Sequence, residues 1–402
     1  MPVPGKVLFV CYGSGHVRMV VPVAKALQEA GLARVQVLGL TTAATVVRNA
    51  GLELLQIKDF LLEHDAPALA MGRELVAAMG EVADIDESIA YMGLCYAELV
   101  SRVGPDQARL RYARDGRQAF LPEALLSRIL RAVSPDLLVA TNSPRAERAA
   151  VMAAGSLGIP SVCLVDLFAV DEVIWIGVPG YATRVCVLNE QVRQFLVESG
   201  RRPDEVSVTG NPAFDALLDP RLHDEGQALR RAQGWEDKLV LLYPTQVEPA
   251  FHPFNGRPGD VTLPSRLLAS LVHWVQQQEN VVLCVRPRAG EPAPALPQGT
   301  SFRVAGQDWP LPTLLAAVDA VATLNSTVGL EGALSGARVI QVLGSVFDEA
   351  MPLARFGLAD VAVPFDQLSP ALERLRTLSR GAAARQMQAA TPRVVEVLRE
   401  FL

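Results

Sequence analysis

Short β-branched and aliphatic runs alternate with stretches of helical periodicity along most of this chain, and that alternation admits few folds besides parallel sheets covered by helices. Residues 6–12, KVLFVCY, end at Gly13, Ser14 and Gly15; Met19, Val20, Val23, Ala24 and Leu27 then recur at helical steps until Gly31. Strand-like runs follow at 35–40 and 52–57, with a helical stretch between them. From about Lys58 to Val133 the strand signal gives way to helical periodicity, with Tyr91, Met92, Leu94, Tyr96, Leu99 and Val100 on one face. Arg102, Arg109, Arg111, Arg114 and Arg117 lie downstream. Strands resume at 135–141, 161–167, 184–189 and 206–210, and the same order restarts at 239–245, 281–287, 302–306, 320–325 and 338–344. The pattern predicts a first Rossmann-like domain over 1–210, carrying a helical insertion at about 58–133, and a second over 235–380. Residues 211–234 read as the linker. Pro370–Leu402 reads as two helices, the last of which, within 381–402, is expected to pack back on the first domain.

At 402 residues the chain exceeds one ordinary core, and 50% hydrophobic with 20% charged residues excludes a disordered chain. With 37 basic and 43 acidic residues the net charge is −6, which offers no footprint for nucleic acid. Cys11, Cys95, Cys163, Cys186 and Cys284 stand singly, as buried thiols of a reducing compartment do. The opening MPVPGKVLFV lacks signal-peptide character, and no run approaches the roughly 20 apolar residues of a membrane span. The expectation is a cytoplasmic enzyme. Weak membrane-surface association through the insertion stays open, although the negative total charge does not support it.

Gly13, Ser14, Gly15 and His16 fall where the first strand meets its helix, the edge at which open α/β sheets bind ligands. Glycines there admit close approach of an anion or a sugar. A dinucleotide fingerprint would need glycine where Arg18 stands and an acidic residue where Gly39 and Leu40 stand, so NAD is disfavoured. His16 reads as a base, as a phosphate or sugar contact, or as a solvent-facing residue of the first turn. In the second half Asn325, Ser326 and Thr327 follow the strand AVATL, and their hydroxyls and free amides predict a nest for a diphosphate. Glu331, on the helix that starts there, is placed to accept from ribose hydroxyls. The plainer alternative has Ser326 merely capping that helix.

Arg286 and Arg288 end another strand and bring positive charge to the same edge, or form a solvated basic loop. Asn142, Ser143 and Asp166 close first-domain strands, while Tyr243, Thr245, Gln246 and Glu248 do so in the second. Asp166 is the alternative base, or an unpaired loop carboxylate. His252 lies on a Pro/Gly-rich loop able to fold over a ligand or simply exposed; His64, His223 and His273 lack partners at useful spacing. No DxD-like motif ends a strand, which fits chemistry without a bound metal.

GSGHVRMVVPVAKAL resembles the glycine-loop start of GT-B enzymes related to the peptidoglycan GlcNAc transferase. VSVTGNPAFDAL resembles the domain-crossing segment of the non-hydrolysing UDP-GlcNAc 2-epimerases, and LNSTVGLEGALSGARVIQVLG resembles the nucleotide-sugar motif of bacterial capsule and surface-polysaccharide transferases. The resemblance implies an α/β GT-B fold, two Rossmann-like domains facing a central cleft. It further implies a glycosyltransferase, without a separate cofactor, that takes a nucleotide-sugar donor on the second domain. The acceptor, on the first, would be a glycan, a lipid or a small molecule. Two departures count against an epimerase: Gly13, Ser14, Gly15 and His16 replace that family's arginine-, proline- and glutamate-bearing loop, and Gly332 replaces the second of two adjacent glutamates. CMP-sugar transferases carry a His-Pro pair where Arg286, Pro287 and Arg288 stand, which points to UDP. The rivals are a UDP-GlcNAc 2-epimerase or hydrolase on the same fold, and a non-catalytic nucleotide-sugar binding protein.

Overall fold

The computed structural model describes residues 5–402 except 81, 253–254, 289, 307 and 378–387. Two units divide the chain: the described residues up to Ala213 together with Ala389–Leu402, and Phe214–Gln388.

The first unit is built on seven strands, β1 (Gly5–Cys11), β2 (Ala33–Gly39), β3 (Glu53–Leu55), β4 (Leu137–Thr141), β5 (Ser161–Leu164), β6 (Arg184–Val187) and β7 (Val206–Val208), in the order β3-β2-β1-β4-β5-β6-β7. All pairs are parallel, with Phe9 of β1 opposite Val37 on one side and Val139 on the other. Residues Val7–Cys11 are wholly buried, because helices cover both faces; hence the run is continuously apolar rather than alternating. Helix Gly15–Glu29 covers one face through Val20, Val23 and Leu27, and Val394, Val395 and Leu398 of helix Ala390–Arg399 join the same core.

Between β3 and β4 stand helices Ala66–Ala77, Ile85–Val103, Pro105–Asp115 and Glu123–Val133. The Asp84 side chain caps the second of these by accepting from the Glu87 amide at 3.0 Å, and Gly104, at φ 82°, ends it. Ala66–Ala77 crosses it backbone to backbone: a Cβ on Gly72 would lie 2.2 Å from the Ile89 carbonyl, and one on Gly93 2.2 Å from that of Ala68. Two glutamates of the long helix secure its neighbours, Glu87 accepting from the amides of Ile57 and Lys58 and Glu98 from those of Ala124 and Leu125.

The second unit carries β8 (Leu239–Pro244), β9 (Val281–Arg286), β10 (Phe302–Val304), β11 (Ala320–Thr323), β12 (Arg338–Leu343) and β13 (Val361–Pro364), all parallel, in the order β10-β9-β8-β11-β12-β13. Strand β13 is absent from the sequence reading, being a four-residue edge run that carries too few alternations to register. The stretch read as a linker, 211–234, is corrected: from Phe214 onward it belongs to the second unit. Its helix Arg221–Gln233 packs on Leu311–Ala317, where a Cβ on Gly226 would stand 2.8 Å from Ala316. Of the region 381–402, residues 381–387 lie outside the described residues. All five cysteines are buried free thiols. Among the described residues no helix is long and apolar enough to cross a membrane.

Candidate functional site

Each sheet reverses its strand order once, between β1 and β4 in the first unit and between β8 and β11 in the second. Crevices at the carboxyl ends of such strands are where open α/β sheets take ligands.

At the first switch point β1 runs through Tyr12 into Gly13, Ser14 and Gly15. Gly13 is required because a Cβ there would stand 1.8 Å from the Thr42 hydroxyl. Ser14 holds φ 58° and ψ −127°, a conformation costly for an L residue. His16, in the first turn of helix Gly15–Glu29, is partly buried, and its Nδ1 is buried without a hydrogen-bond partner. Across the switch point stands Glu147, in the first turn of helix Ala146–Leu157, which sequence reasoning missed. It is 0% exposed; its Oε1 accepts from the Tyr12 amide at 2.7 Å, while Oε2 is buried and unpartnered. Burial pushes the Glu147 carboxyl up, and His16 is the first of the opposing influences that hold it down. Arg145 stacks over the Tyr12 ring at 4.6 Å. The one signal in the sequence was an acidic residue in a helical first turn just beyond a sheet-centre strand.

Asp166 is not an unpaired loop carboxylate. Its Oδ1 accepts from Asn142 Nδ2 at 2.9 Å and from the Leu167 amide at 2.8 Å, and its own amide donates to Asn142 Oδ1 at 3.0 Å. Asn211, from the Gly-Asn-Pro crossing, donates to the Asp166 carbonyl at 2.6 Å. Beside this network Glu172, also missed, is raised to about 7, by burial first and by the Asp166 charge second. Ala169, on the loop between them, holds φ 52°.

In the second unit the switch point is bridged by Gln246, whose Oε1 accepts from the Thr323 hydroxyl at 3.1 Å and the Asn325 amide at 2.8 Å. The expectation of free amides is corrected here. Ser326 N donates to Thr323 Oγ1, Ser326 Oγ caps the Val328 amide at 3.2 Å, and the Gly329 amide donates to the Ser326 carbonyl. Gly329 and Gly332 are packing residues: added Cβ atoms would stand 2.6 Å from Thr323 and 2.7 Å from Val321 side chains. Thr327 is exposed and Glu331 half-buried. Asn325 Nδ2 donates to Ser345 Oγ, which donates to Glu248 at 2.7 Å.

Arg286 donates to the Trp309 carbonyl at 3.0 Å, so it braces a loop, whereas Arg288 is exposed. Thr245 donates to Glu291 at 2.5 Å and accepts from the Arg288 amide. Tyr243 is buried, donating to the Pro264 carbonyl. His252 is 7% exposed, its Nδ1 accepting from the Asn255 amide, which corrects the exposed-loop alternative. In the insertion Arg109 and Arg114 pair on the surface with Asp106 and Asp115. Among the described residues no cluster of three His, Cys, Asp or Glu side chains is placed to hold a metal ion.

No family model and no curated protein matches this sequence. Solved structures do match over the full length. S. aureus MnaA, in a co-structure with UDP, superposes with a TM-score of 0.60 at 11% identity, covering 99% of this chain and 96% of that one. The glycotransferase of kitacinnamycin gives 0.56 at 15% identity, covering 100% of both. This chain has the GT-B fold. UDP-GlcNAc 2-epimerase from Neisseria meningitidis, solved with UDP-GlcNAc bound, gives 0.55 at 12% identity, covering 98% of this chain and 100% of that one. The GT-B architecture of this chain is therefore shared with both transferases and epimerases.

Proposed function

We propose that the protein is a glycosyltransferase that moves a sugar from a UDP-linked donor to an acceptor hydroxyl. The observation that carries this is the placement of His16 and Glu147 at the β1/β4 switch point, with the His16 charge acting on the Glu147 carboxyl and each residue carrying a buried polar atom that has no hydrogen-bond partner among the described residues. With Nδ1 buried, Nε2 is the atom left to receive the acceptor proton. As that proton arrives, the acceptor oxygen bonds the anomeric carbon and the bond to the diphosphate oxygen breaks. The Glu147 carboxylate then stabilises the imidazolium.

The acceptor belongs to the first unit and the nucleotide to the second, at Asn325, Ser326, Thr327 and Glu331, where the positive end of helix Thr327–Leu334 favours a diphosphate. UDP is chosen because two of the structural neighbours hold UDP or UDP-GlcNAc. A thermal-shift series with UDP-, GDP-, CMP- and TDP-sugars tests the donor: the UDP compounds give the largest rise.

One observation favours a second reading. Glu172 is raised to about 7, by burial first and by the Asp166 charge second, so it is partly protonated near neutrality. That is the equipment of a 2-epimerase. Incubation with UDP-GlcNAc and no acceptor separates the two: rapid formation of ManNAc or its UDP form establishes the epimerase and removes the transferase.

A further inference from the structure

Beside the end of β2 the insertion lines a partly open cavity of about 290 Å³. Leu40, Met79, Val82 and Met92 form the apolar part of its wall, and Thr41, Thr42, Ser88 and Tyr91 add hydroxyls. Among the described residues two carboxylates line it, Glu87 engaged by the amides of Ile57 and Lys58 and Asp84 by the Lys58 ammonium at 2.6 Å. Arg117, also lining it, has no hydrogen-bond or ion-pair partner for its side chain among the described residues, and the same holds for Ser88. Arg117, exposed at the cavity, is thus the lining charge that no described side chain meets.

Its wall is also strained where β2 ends: Thr41 holds φ 54°, an outlier for a β-branched residue and the kind of cost that ligand clamps retain. Two contacts join the cavity to the glycine loop. The Tyr91 hydroxyl in the wall hydrogen-bonds that of Tyr12, and Thr42 in the wall is the residue against which Gly13 lies. A ligand seated here thus ends beside the segment that carries His16.

We propose that this cavity binds the body of the acceptor, and that the acceptor is a small ring-bearing organic acid, its anionic group toward Arg117 and its reacting hydroxyl toward the glycine loop. The acceptor role rests on the transferase reading above. A sugar chain is a poor occupant, since about 290 Å³ is too small for one and hydroxyls set against Leu40, Met79, Val82 and Met92 would find no partner there. The volume, at the small end of ligand pockets of about 300–1,000 Å³, suits one fused ring system.

Fluorescence titration with anilinonaphthalene sulfonate, an aromatic acid, and with neutral phenylnaphthylamine tests the site on the full chain. Both probes bind saturably at one site. Ser88→Phe and Ala83→Trp, which fill the cavity, each abolish that saturation, and Arg117→Gln weakens the sulfonate about tenfold while sparing the neutral probe. Unchanged sulfonate binding in both filled variants overturns the site, and equal loss of the two probes in Arg117→Gln overturns the anionic acceptor. Incubation of the unmodified protein with UDP-GlcNAc and no acceptor, read separately for ManNAc or its UDP form, judges the transferase reading, so the two failures are distinguishable.

Discussion

Glu172→Gln should make the protein more stable at alkaline pH and leave it nearly unchanged in mild acid. The carboxyl is raised to about 7 from an ordinary value of 4.5, so the folded state holds its proton over a range in which the unfolded chain has released it. Where the folded state binds more protons, stability falls as pH rises. The loss begins near the unfolded value and is complete once pH passes the folded one. At about 1.4 kcal/mol per pH unit, ionised Glu172 costs the fold about 3 kcal/mol at about pH 8. Glutamine keeps the size and a hydrogen-bonding oxygen while removing the ionisation, so the advantage of the variant should grow from near zero at about pH 4.5 to about 3 kcal/mol at about pH 8. Asp166→Asn should recover a smaller part, since burial is the larger cause and the Asp166 charge the second. Urea unfolding across that range, with the difference between the two proteins taken at each pH, measures the effect. A difference that stays flat within about 0.5 kcal/mol would refute both the burial and the coupling.

Three other outcomes follow from the geometry. His16→Ala should lower turnover about a hundredfold or more at saturating donor and acceptor, with donor affinity little altered; a raised donor dissociation constant at full turnover would instead make it a phosphate contact. Glu331→Ala should weaken UDP binding by about 1.5–3 kcal/mol in calorimetry, and unchanged affinity would remove Glu331 from the nucleotide site. Gly93→Ala should destabilise by about 1–3 kcal/mol in thermal unfolding, because its Cβ would meet the Ala68 carbonyl at 2.2 Å; a neutral result would mean that the two helices part freely.

The architecture was legible because it rests on local patterning. KVLFVCY is apolar on both faces and stops at glycines, and the helical period from Lys58 to Val133 is unbroken by strand residues. The partners of polar groups were not legible. Glu147 reads as an acidic residue at a helix start, yet its role is set by the Tyr12 amide, far away in the chain. Arg286 carries a charge that sequence shows, while the Trp309 carbonyl that occupies it is visible only in the fold. Gly329 and Gly332 lie against Thr323 and Val321 of β11, a close approach that spacing alone does not reveal. Composition reports charge and period; it does not report which amide a carboxylate has already taken.

The first unit is interrupted in the chain by the whole of Phe214–Gln388, and this orders its maturation during synthesis. Helix Ala390–Arg399, whose Val394 and Leu398 complete the core around Met19, Val20 and Val23, is translated only after the second unit has been made. Until then the outer face of the helix that begins at Gly15 and His16 stays uncovered and open to chaperones and to misassociation with other nascent chains. A ribosome that stalls, or a nonsense mutation, between Ala213 and Ala390 therefore strands an apparently distant part of the protein with an open core. The second unit, continuous in the chain, escapes that dependence and can be sought as an independently expressed fragment.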